Sequence, residues 1–540
     1  MKRKLFTAAA FVILLAAAAA YWRLTIAEAG VRYGLSAANI DDARFTVTEL
    51  TPFRLTLSDI RVGKELSAKT AEIVFDIANL SERPVTRLVL RGVRADATVD
   101  GPLRRRLMPS GGTQEPLSKE KIGQILGALP ALEVHDARLT VAAEGRVLIV
   151  SGSLKAKREG MDKVAGTLVV DVEQAKPGKD AKTASFVLPK VAVRSAFTVD
   201  REVLAFDGGV SAARHLSAKA KGRHRLIDGT GNADINLDLV RFGPGGPLLT
   251  HLLSNSTGMN IKAGTMAGEA RVSWNDKGIA GTASLKIDGL EMSDETTGVD
   301  IEGLSAEINV DRFVPLRTPP GQVIRIRRVA AGTDLTDLTL RFSLESEAAS
   351  AYPLLRVEDF DAGFIGGTFN VRPTVLDPAG KENNAVIDLA NVDLAALFAL
   401  IGVDGVSGEG RLGGVIPVRQ VAAAVGITGG KIAAAGPGTL RIRSAAVNRA
   451  LAQGGKDVAL MLSALANFRY QVLTVEVDKE LQGEGRILLK TRGHNPAVLD
   501  GRPFAININM SGNVDRIAAV IAQALNLPAA LVRSIVPKAE

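Results

Sequence analysis

The stretch Asp337-Leu-Thr-Leu-Arg-Phe-Ser-Leu-Glu345 alternates apolar and polar residues without a break. Successive side chains of a β-strand point to opposite faces of the sheet, so a period of two predicts a strand with one apolar face. We expect the apolar side chains of this stretch to face an apolar interior and the polar ones to face water. The apolar set is Leu338, Leu340, Phe342 and Leu344; the polar set is Thr339, Arg341 and Ser343.

The same alternation recurs about every 10–14 residues, and Gly, Asn, Asp and Pro separate the runs. Clear examples are Ala43–Glu49, Phe53–Asp59 and Asp234–Leu239, the last with Ile235, Leu237 and Leu239 as its apolar residues. The pattern predicts roughly 28–32 strands. At about 4.8 Å per strand, a single stack would extend for about 130–155 Å.

The sequence offers few helices to cover so many apolar strand faces. Helical patterns occur at Ile26–Tyr33, Ser118–Leu129 (with Ser118 as N-cap), Asp393–Ile401, Lys456–Ala466 and Asn513–Leu525. A strand–helix–strand rhythm is absent, so a parallel sheet covered by helices is not expected. The sheet must therefore curl over itself as a long half-barrel, pair as a sandwich, or bind something apolar.

Composition excludes several classes of protein. Hydrophobic residues make up 46% of the 540 and charged residues 23%, which is ordinary for a folded chain and rules out disorder as its main state. There is no cysteine, so thiol catalysis, disulfides, Fe–S clusters and zinc ribbons are excluded. The net charge of +8 is modest for this length, and we expect no nucleic-acid partner.

The N-terminus resembles a membrane anchor. Basic residues at positions 2–4 precede Leu5–Trp22, an uncharged run long enough to cross a bilayer. The flanking charge predicts a cytoplasmic segment 1–4, an uncleaved transmembrane anchor 5–22, and the remainder on the far side of the membrane. Ala16–Ala20 also offers a cleavage site, which leaves removal of the segment as the alternative.

No catalytic constellation is present, so we expect no enzyme activity, no cofactor and no metal. Gly408–Gly413 matches the spacing G-x-G-x-x-G, but a strand pattern follows it, whereas a dinucleotide site needs a helix there. His215 and His224 have no accompanying carboxylate pattern for metal. Neighbours such as Glu358 and Asp359 should point to opposite faces of a strand and cannot act as an acid–base pair.

The C-terminal strand pattern has one apolar face, formed by Phe504, Ile506, Ile508 and Met510. An unpaired edge here would be exposed, and it carries no charge between Ala505 and Met510. The helical pattern Asn513–Leu525 either plugs the end of the groove that the apolar face forms or rests on the outer membrane. A further alternative is that the strand edge receives a partner's strand.

The last 140 residues of the chain resemble the YdbH-like family, within the AsmA-like, bridge-like lipid transfer proteins. The segments that carry the resemblance are Gly402–Val418, Gly429–Ile432, Gly436–Arg441, Leu460–Tyr470, Arg492–Pro496 (with G-x-N-P) and Asp500–Asn509 (with G-R-P and an I-N-I-N strand).

The resemblance implies a mainly β fold: an elongated, twisted, taco-shaped antiparallel β groove, or half-barrel, with an N-terminal transmembrane helix and a few short helices. The groove would span 23–395, and 396–540 would form the C-terminal YdbH-like domain. The implied function is phospholipid transport between the inner and outer membranes of a Gram-negative bacterium, by a single-pass inner-membrane protein whose bulk is periplasmic. The implied partners are phospholipids, the inner membrane and a small outer-membrane lipoprotein that adds a strand at the C-terminal end.

The aliphatic composition agrees with this function, since acyl chains need a continuous apolar surface and no catalytic group. The candidate lipid-contacting residues are Leu338, Leu340, Phe342, Leu344, Ile235, Leu237, Leu239, Phe504, Ile506, Ile508 and Met510. The alternative is a non-transporting envelope scaffold or binding protein that affects outer-membrane assembly, or an accessory to dicarboxylate transport, as an older label of the family suggests.

Overall fold

A computed structural model provides the structure of the chain. It describes residues 23–25, 27–33, 35–36, 42–79, 84–98, 118–143, 146–160, 162–174, 190–212, 216–244, 259–294, 298–330, 333–346, 352–378, 382–401, 405–421, 424–443, 456–481 and 485–512. The predicted anchor Leu5–Trp22 and the predicted helix Asn513–Leu525 lie outside the described residues. Among the described residues, no helix is both long enough and apolar enough to span a bilayer.

The described residues are mainly β, as predicted, and contain 28 strands. The first fourteen are β1 Ala43–Thr51, β2 Arg54–Val62, β3 Leu66–Phe75, β4 Val85–Arg91, β5 Arg94–Ala97, β6 Ala131–Ala143, β7 Arg146–Arg158, β8 Val164–Gln174, β9 Val191–Val199, β10 Val203–Ala212, β11 Leu216–Arg225, β12 Gly231–Phe242, β13 Met259–Asn275 and β14 Gly278–Asp294.

The other fourteen strands follow in the second half of the chain. They are β15 Val299–Val310, β16 Gln322–Ala330, β17 Asp334–Glu345, β18 Leu354–Phe364, β19 Gly367–Val371, β20 Thr374–Leu376, β21 Asn383–Asp393, β22 Val406–Glu409, β23 Arg411–Val421, β24 Ala424–Ala434, β25 Gly438–Ile442, β26 Phe468–Lys479, β27 Gly485–His494 and β28 Phe504–Gly512.

Three α-helices in the described residues match predicted ones closely: α1 Lys119–Ala128, α2 Leu394–Ile401 and α3 Lys456–Leu465. Residues 27–33 are also helical. Ser118 is the N-cap of α1, and its hydroxyl accepts a hydrogen bond from the backbone N–H of Lys121 at 3.2 Å. Such side-chain caps satisfy donors that the first helical turn leaves unpaired.

The chain divides into two compact units. Unit 1 comprises Met1–Asp238 and Arg271–Ile279, and unit 2 comprises Leu239–Ala270 and Ala280–Glu540. Strands β12, β13 and β14 therefore contribute residues to both units. The predicted domain boundary at 395/396 falls inside unit 2, within α2, and stays a prediction.

In unit 1 each strand pairs mainly with its neighbour in sequence, and the pairs are antiparallel. One exception was not predicted. Strands β4 and β5 pair in parallel with β6, and α1 lies between β5 and β6 in the chain. This parallel strand–helix–strand connection buries Ile122 and Leu126 of α1 against Val164 and its neighbours.

A second apolar cluster of unit 1 covers the first strands. Its buried residues include Phe45, Leu57 and Ala71, and side chains of the N-terminal helical segment, among them Leu24 and Val31, pack against them. The inner face of these strands is thus closed by a helix rather than left open.

In unit 2 the order of neighbouring strands is β14, β15, β16, β17, β18, β19, β21, β23, β24, β26, β27, β28, all antiparallel. Strand β20 pairs with β18 beside β19. Strand β25 pairs with the first residues of β26 and with β22. Most apolar residues of these strands form one buried face, and most charged residues occupy the other. Lys479 of β26 is an exception, since it is only 8% exposed.

Candidate functional site

Unit 2 contains an apolar cavity of about 120 Å³. All nineteen residues that line it are apolar. They include Phe364, Phe369, Leu389, Leu412, Ile416, Ile432, Leu440, Leu473, Ile487, Leu489 and Ile508 from the strands, and Leu394, Leu397, Phe398 and Leu400 from α2. For scale, a dry apolar cavity of roughly 150 Å³ binds benzene, so this one accommodates a small apolar group.

The lining residues show that the sheet of unit 2 is strongly curved. Phe364 belongs to β18 and Ile508 to β28, and seven strand-to-strand steps separate these strands in the sheet. At about 4.8 Å per step, a flat sheet would hold them roughly 34 Å apart. Both residues line one small cavity, so the apolar face is concave.

Helix α2 supplies part of the wall of this cavity, and every one of its eight residues is apolar. It begins directly after β21, and the carboxylate of Asp393 accepts a hydrogen bond from the backbone N–H of Ala396 at 2.9 Å, as an N-cap does. Leu394 is fully buried, whereas Leu397, Phe398 and Leu400 are only partly buried. The partly buried side chains are the ones that an apolar ligand could reach.

The glycines of the C-terminal segments surround Tyr470, which is 1% exposed. Its hydroxyl donates a hydrogen bond to the carbonyl oxygen of Glu409 at 2.9 Å, and burial raises the pKa of Tyr470. A Cβ atom on Gly410 would lie 1.9 Å from that hydroxyl oxygen, and one on Gly438 would lie 2.2 Å from it. Both positions therefore require glycine for close packing.

The same packing explains the G-x-G-x-x-G spacing at Gly408–Gly413. Gly408 is in β22 and Gly413 in β23, and β23 continues to Val421 where a dinucleotide site needs a helix to begin. A Cβ on Gly408 would lie 2.8 Å from Cδ2 of Leu394. The motif packs strands against α2 and Tyr470, as the strand interpretation predicted.

Asn495, of the G-x-N-P segment, caps the C-terminal end of α3 with its side chain. Its side-chain amide donates hydrogen bonds to the carbonyl oxygens of Ser463 and Ala464 at 2.9 and 3.1 Å, and its side-chain oxygen accepts one from the N–H of Ala497 at 3.0 Å. Asn495 is 4% exposed. Carbonyl groups at a helix C-terminus lack intrahelical partners, so Asn495 fixes α3 on β27.

The candidate residues of β17 are deeply buried: Leu338 is 2% exposed, Leu340 3%, Phe342 3% and Leu344 7%. They lie in unit 2 but are not among the residues that line the cavity. Ser343 was expected to face water, and this is wrong, because it is 8% exposed. Here the chain before β16 runs beside β17, and the N–H of Leu344 donates to the hydroxyl of Thr318 at 2.8 Å.

The candidate residues of β12 do not all share one face. Ile235 and Leu237 are partly buried, but Leu239 is 49% exposed and Val240 is 2% exposed. The alternation shifts by one residue after Leu237, so the prediction that Leu239 faces the interior is wrong. The shift was not visible in the sequence, because Leu239 and Val240 are both apolar.

The candidate residues of β28 come closest to the site. Ile506 is 4% exposed, Phe504 packs on Phe468 with ring centroids 5.4 Å apart, and Ile508 lines the cavity. Met510 belongs to β28, but its side chain lies outside the described residues. Whether any of the eleven candidates contacts lipid stays a prediction.

Most residues of the cavity were missed by the sequence reasoning. Val475 and Val477 of β26 and Ile487 and Leu489 of β27 alternate with polar residues, so the signal for an apolar face was present. What the sequence did not contain is the curvature that brings these faces together. Helix α2 was predicted, but not its position against the cavity.

The outer face of the same strands carries ion pairs. The guanidinium of Arg372 donates to both carboxylate oxygens of Asp388 at 2.7 and 2.8 Å and thereby lowers the pKa of Asp388. Arg419 binds Glu382 in the same bidentate way and lowers its pKa. Asp388 lies between Ile387, which is fully buried, and Leu389, which lines the cavity. The two faces of this sheet thus differ sharply in polarity.

The described residues contain no group of three His, Asp or Glu side chains that could hold a metal ion. His224 accepts a hydrogen bond from the indole N–H of Trp274 at 3.0 Å, and His215 lies outside the described residues. Glu358 and Asp359 were expected on opposite faces. Instead, a register shift leaves Glu358 unpaired in the strand, and its carboxylate accepts from the N–H of Gly321 at 3.0 Å.

Comparison with known proteins identifies one family. The family model described as "YdbH-like: Intermembrane phospholipid transport protein YdbH" matches residues 174–516, more than half of the chain. The match covers every residue that lines the cavity. Searches of curated proteins and of solved structures gave no match.

Proposed function

This chain belongs to the YdbH-like family of intermembrane phospholipid transport proteins, and from that premise we propose that the concave apolar face of unit 2 carries phospholipid acyl chains. The observation that carries the proposal is the wholly apolar lining contributed by strands from β18 to β28 and by α2. Acyl chains bind apolar surface without needing a directional partner. Charged headgroups would remain in water, outside the cavity.

We propose further that the full β body is an elongated, taco-shaped groove along which phospholipid moves between the inner and outer membranes. The recurrence of strands with one apolar face supports it, because few helices are present in the described residues to cover those faces. The groove needs no catalytic group, so the protein would act as a conduit and not as an enzyme.

Anchoring at the inner membrane is part of the proposal. The uncharged run Leu5–Trp22 and its basic flank at positions 2–4 support a single-pass anchor with the bulk of the chain in the periplasm. N-terminal sequencing of the mature protein should begin at or near Met1. A mature sequence that starts near Tyr21 would show that the segment is removed.

Leu340 of β17 does not suit a blocking substitution, because at 3% exposure it belongs to the packed core. A charge there would unfold the protein rather than test transport. Ile487 is better placed, since it lines the cavity and is only partly buried, and its neighbour Arg486 is exposed on the opposite face of β27.

The test compares Ile487→Asp with the matched control Arg486→Asp. Because an unpaired carboxylate in an apolar cavity repels acyl chains, we expect Ile487→Asp to reduce phospholipid transfer between the two membranes of cells at least tenfold. Arg486→Asp should transfer lipid at the wild-type rate. If both folded variants transport normally, the cavity does not carry lipid, and a non-transporting envelope scaffold becomes the better account.

A further inference from the structure

Unit 1 presents a row of arginines across neighbouring strands. Arg44 of β1 lies opposite Arg61 of β2, which in turn lies opposite Ser67 of β3. Ser67 lies opposite Arg94 of β5, and Arg94 pairs with Arg138 of β6. Residues that face each other in neighbouring strands lie on the same face of the sheet, about 4.8 Å apart. We call Arg44, Arg61, Arg94 and Arg138 the arginine row.

Three members of the arginine row also line one polar cavity of about 500 Å³: Arg61, Arg94 and Arg138. Lys64 adds a fourth cation to its wall. Two carboxylates line it as well, those of Glu65 and Asp96, which leaves a formal charge of +2. The cavity therefore has an excess of positive charge at a concave surface.

The four cations of this cavity have no ion pair and no side-chain hydrogen bond with any other residue that the structure describes. Several cations elsewhere in the chain are held by carboxylates, as Arg372 is by Asp388 and Arg419 by Glu382. The carboxylate of Asp96 is engaged locally, since it accepts hydrogen bonds from the N–H and the hydroxyl of Thr98 at 2.9 and 2.6 Å.

Like charges directly opposite each other on neighbouring strands destabilise a sheet. The row contains two such register pairs, Arg44 with Arg61 and Arg94 with Arg138. An anion between the guanidinium groups would turn this repulsion into attraction. Guanidinium groups match phosphate oxygens in a planar, bidentate geometry, and that match favours a phosphate group over a simple halide ion.

We propose that the cavity lined by Arg61, Lys64, Arg94 and Arg138 is a binding site for a phosphate group. The phosphate is either that of a phospholipid headgroup or free inorganic phosphate, because both present the same oxygens. The site lies in unit 1 and does not use the apolar cavity of unit 2. A negative result for this phosphate site would therefore not contradict the proposal that unit 2 carries acyl chains.

The test is calorimetric titration of the full chain, in a non-ionic detergent, with two probes: inorganic phosphate and dihexanoyl phosphatidylglycerol. We expect saturable binding of at least one probe, with an affinity that falls at least tenfold in Arg94→Gln/Arg138→Gln. The matched control is Lys219→Gln/Arg223→Gln, which removes two exposed cations from β11 of the same unit. The control should bind within twofold of the wild type.

The two probes distinguish the source of the phosphate. Binding of both indicates that the phosphate group alone is recognised, and binding of the lipid alone indicates a headgroup site. Absence of saturable binding for both probes would overturn the proposal. An equal loss of affinity in the two double variants would also overturn it, because binding would then depend on the total positive charge and not on these arginines.

Thermal unfolding gives an independent check. Without phosphate, Arg94→Gln/Arg138→Gln should melt no lower than the wild type, because it removes the repulsion between the two arginines. When a probe is added, only the melting temperatures of the wild type and the control should rise. If the double variant does not fold, Arg138→Gln alone replaces it in both measurements. If neither probe changes the melting temperature of the wild type, the proposed phosphate site is contradicted.

Discussion

At the scale of the residue, the C-terminal segments that resemble the family are explained by packing around two side chains. Tyr470 fills a space that only glycine at positions 410 and 438 leaves open. Asn495 satisfies the last carbonyl groups of α3. Both residues hold strands β22 to β27 in the arrangement that shapes the apolar cavity, although neither lines it.

Tyr470→Phe tests this explanation. The variant keeps the ring but removes the hydroxyl that binds the carbonyl oxygen of Glu409, so we expect the free energy of unfolding to fall by about 1 kcal/mol. Urea denaturation measures the change. Tyr33→Phe is the control, because Tyr33 is 81% exposed, and it should leave the unfolding midpoint unchanged. Identical midpoints for Tyr470→Phe and the wild type would show that the bond does not stabilise the fold.

At the scale of the element, alternation of apolar and polar residues was enough to predict the strands. It failed where a strand shifts by one residue, as between Leu237 and Val240 and beside Glu358. Such shifts depend on pairing with neighbouring strands, and the local sequence does not encode them clearly. Helix α1 was predictable in part because its cap is local, with Ser118 directly before it. Asp393, which the prediction counted as the first residue of its helix, caps α2 in the structure.

Strand β28 offers the sharpest prediction at this scale. Among the described residues it pairs with β27 alone, and its exposed residues Ala505, Asn507 and Asn509 are uncharged. An open, uncharged edge is a template for another strand. We propose that a small outer-membrane lipoprotein adds its strand there, as the resemblance to the family implies.

Single cysteines placed along Ala505–Met510 should crosslink to a small partner protein in cells. The chain has no cysteine of its own, so every crosslink reports the introduced position. A cysteine at Arg486 is the control, because β27 is paired on both sides and should give no partner adduct. Crosslinks confined to the chain itself would instead favour an edge closed by the residues after β28.

At the scale of the whole molecule, membership in the family and the concave apolar face of unit 2 point to the same function by separate routes. The strand count and the class of fold could be predicted from the sequence. The cavity could not, because it depends on the curvature that brings β18 and β28 to one place. Ile508 is the one candidate residue of the sequence reasoning that lines this cavity.

The measurement that tests the central claim most directly is photo-crosslinking at Ile508 in living cells. A photoreactive amino acid at Ile508 should yield a covalent phospholipid adduct, detected by mass spectrometry of the purified chain. The same group at Asn507, the exposed neighbour on the opposite face of β28, should yield none. Equal labelling at both positions, or no lipid adduct at Ile508, would contradict the claim that the inner face of unit 2 carries phospholipid.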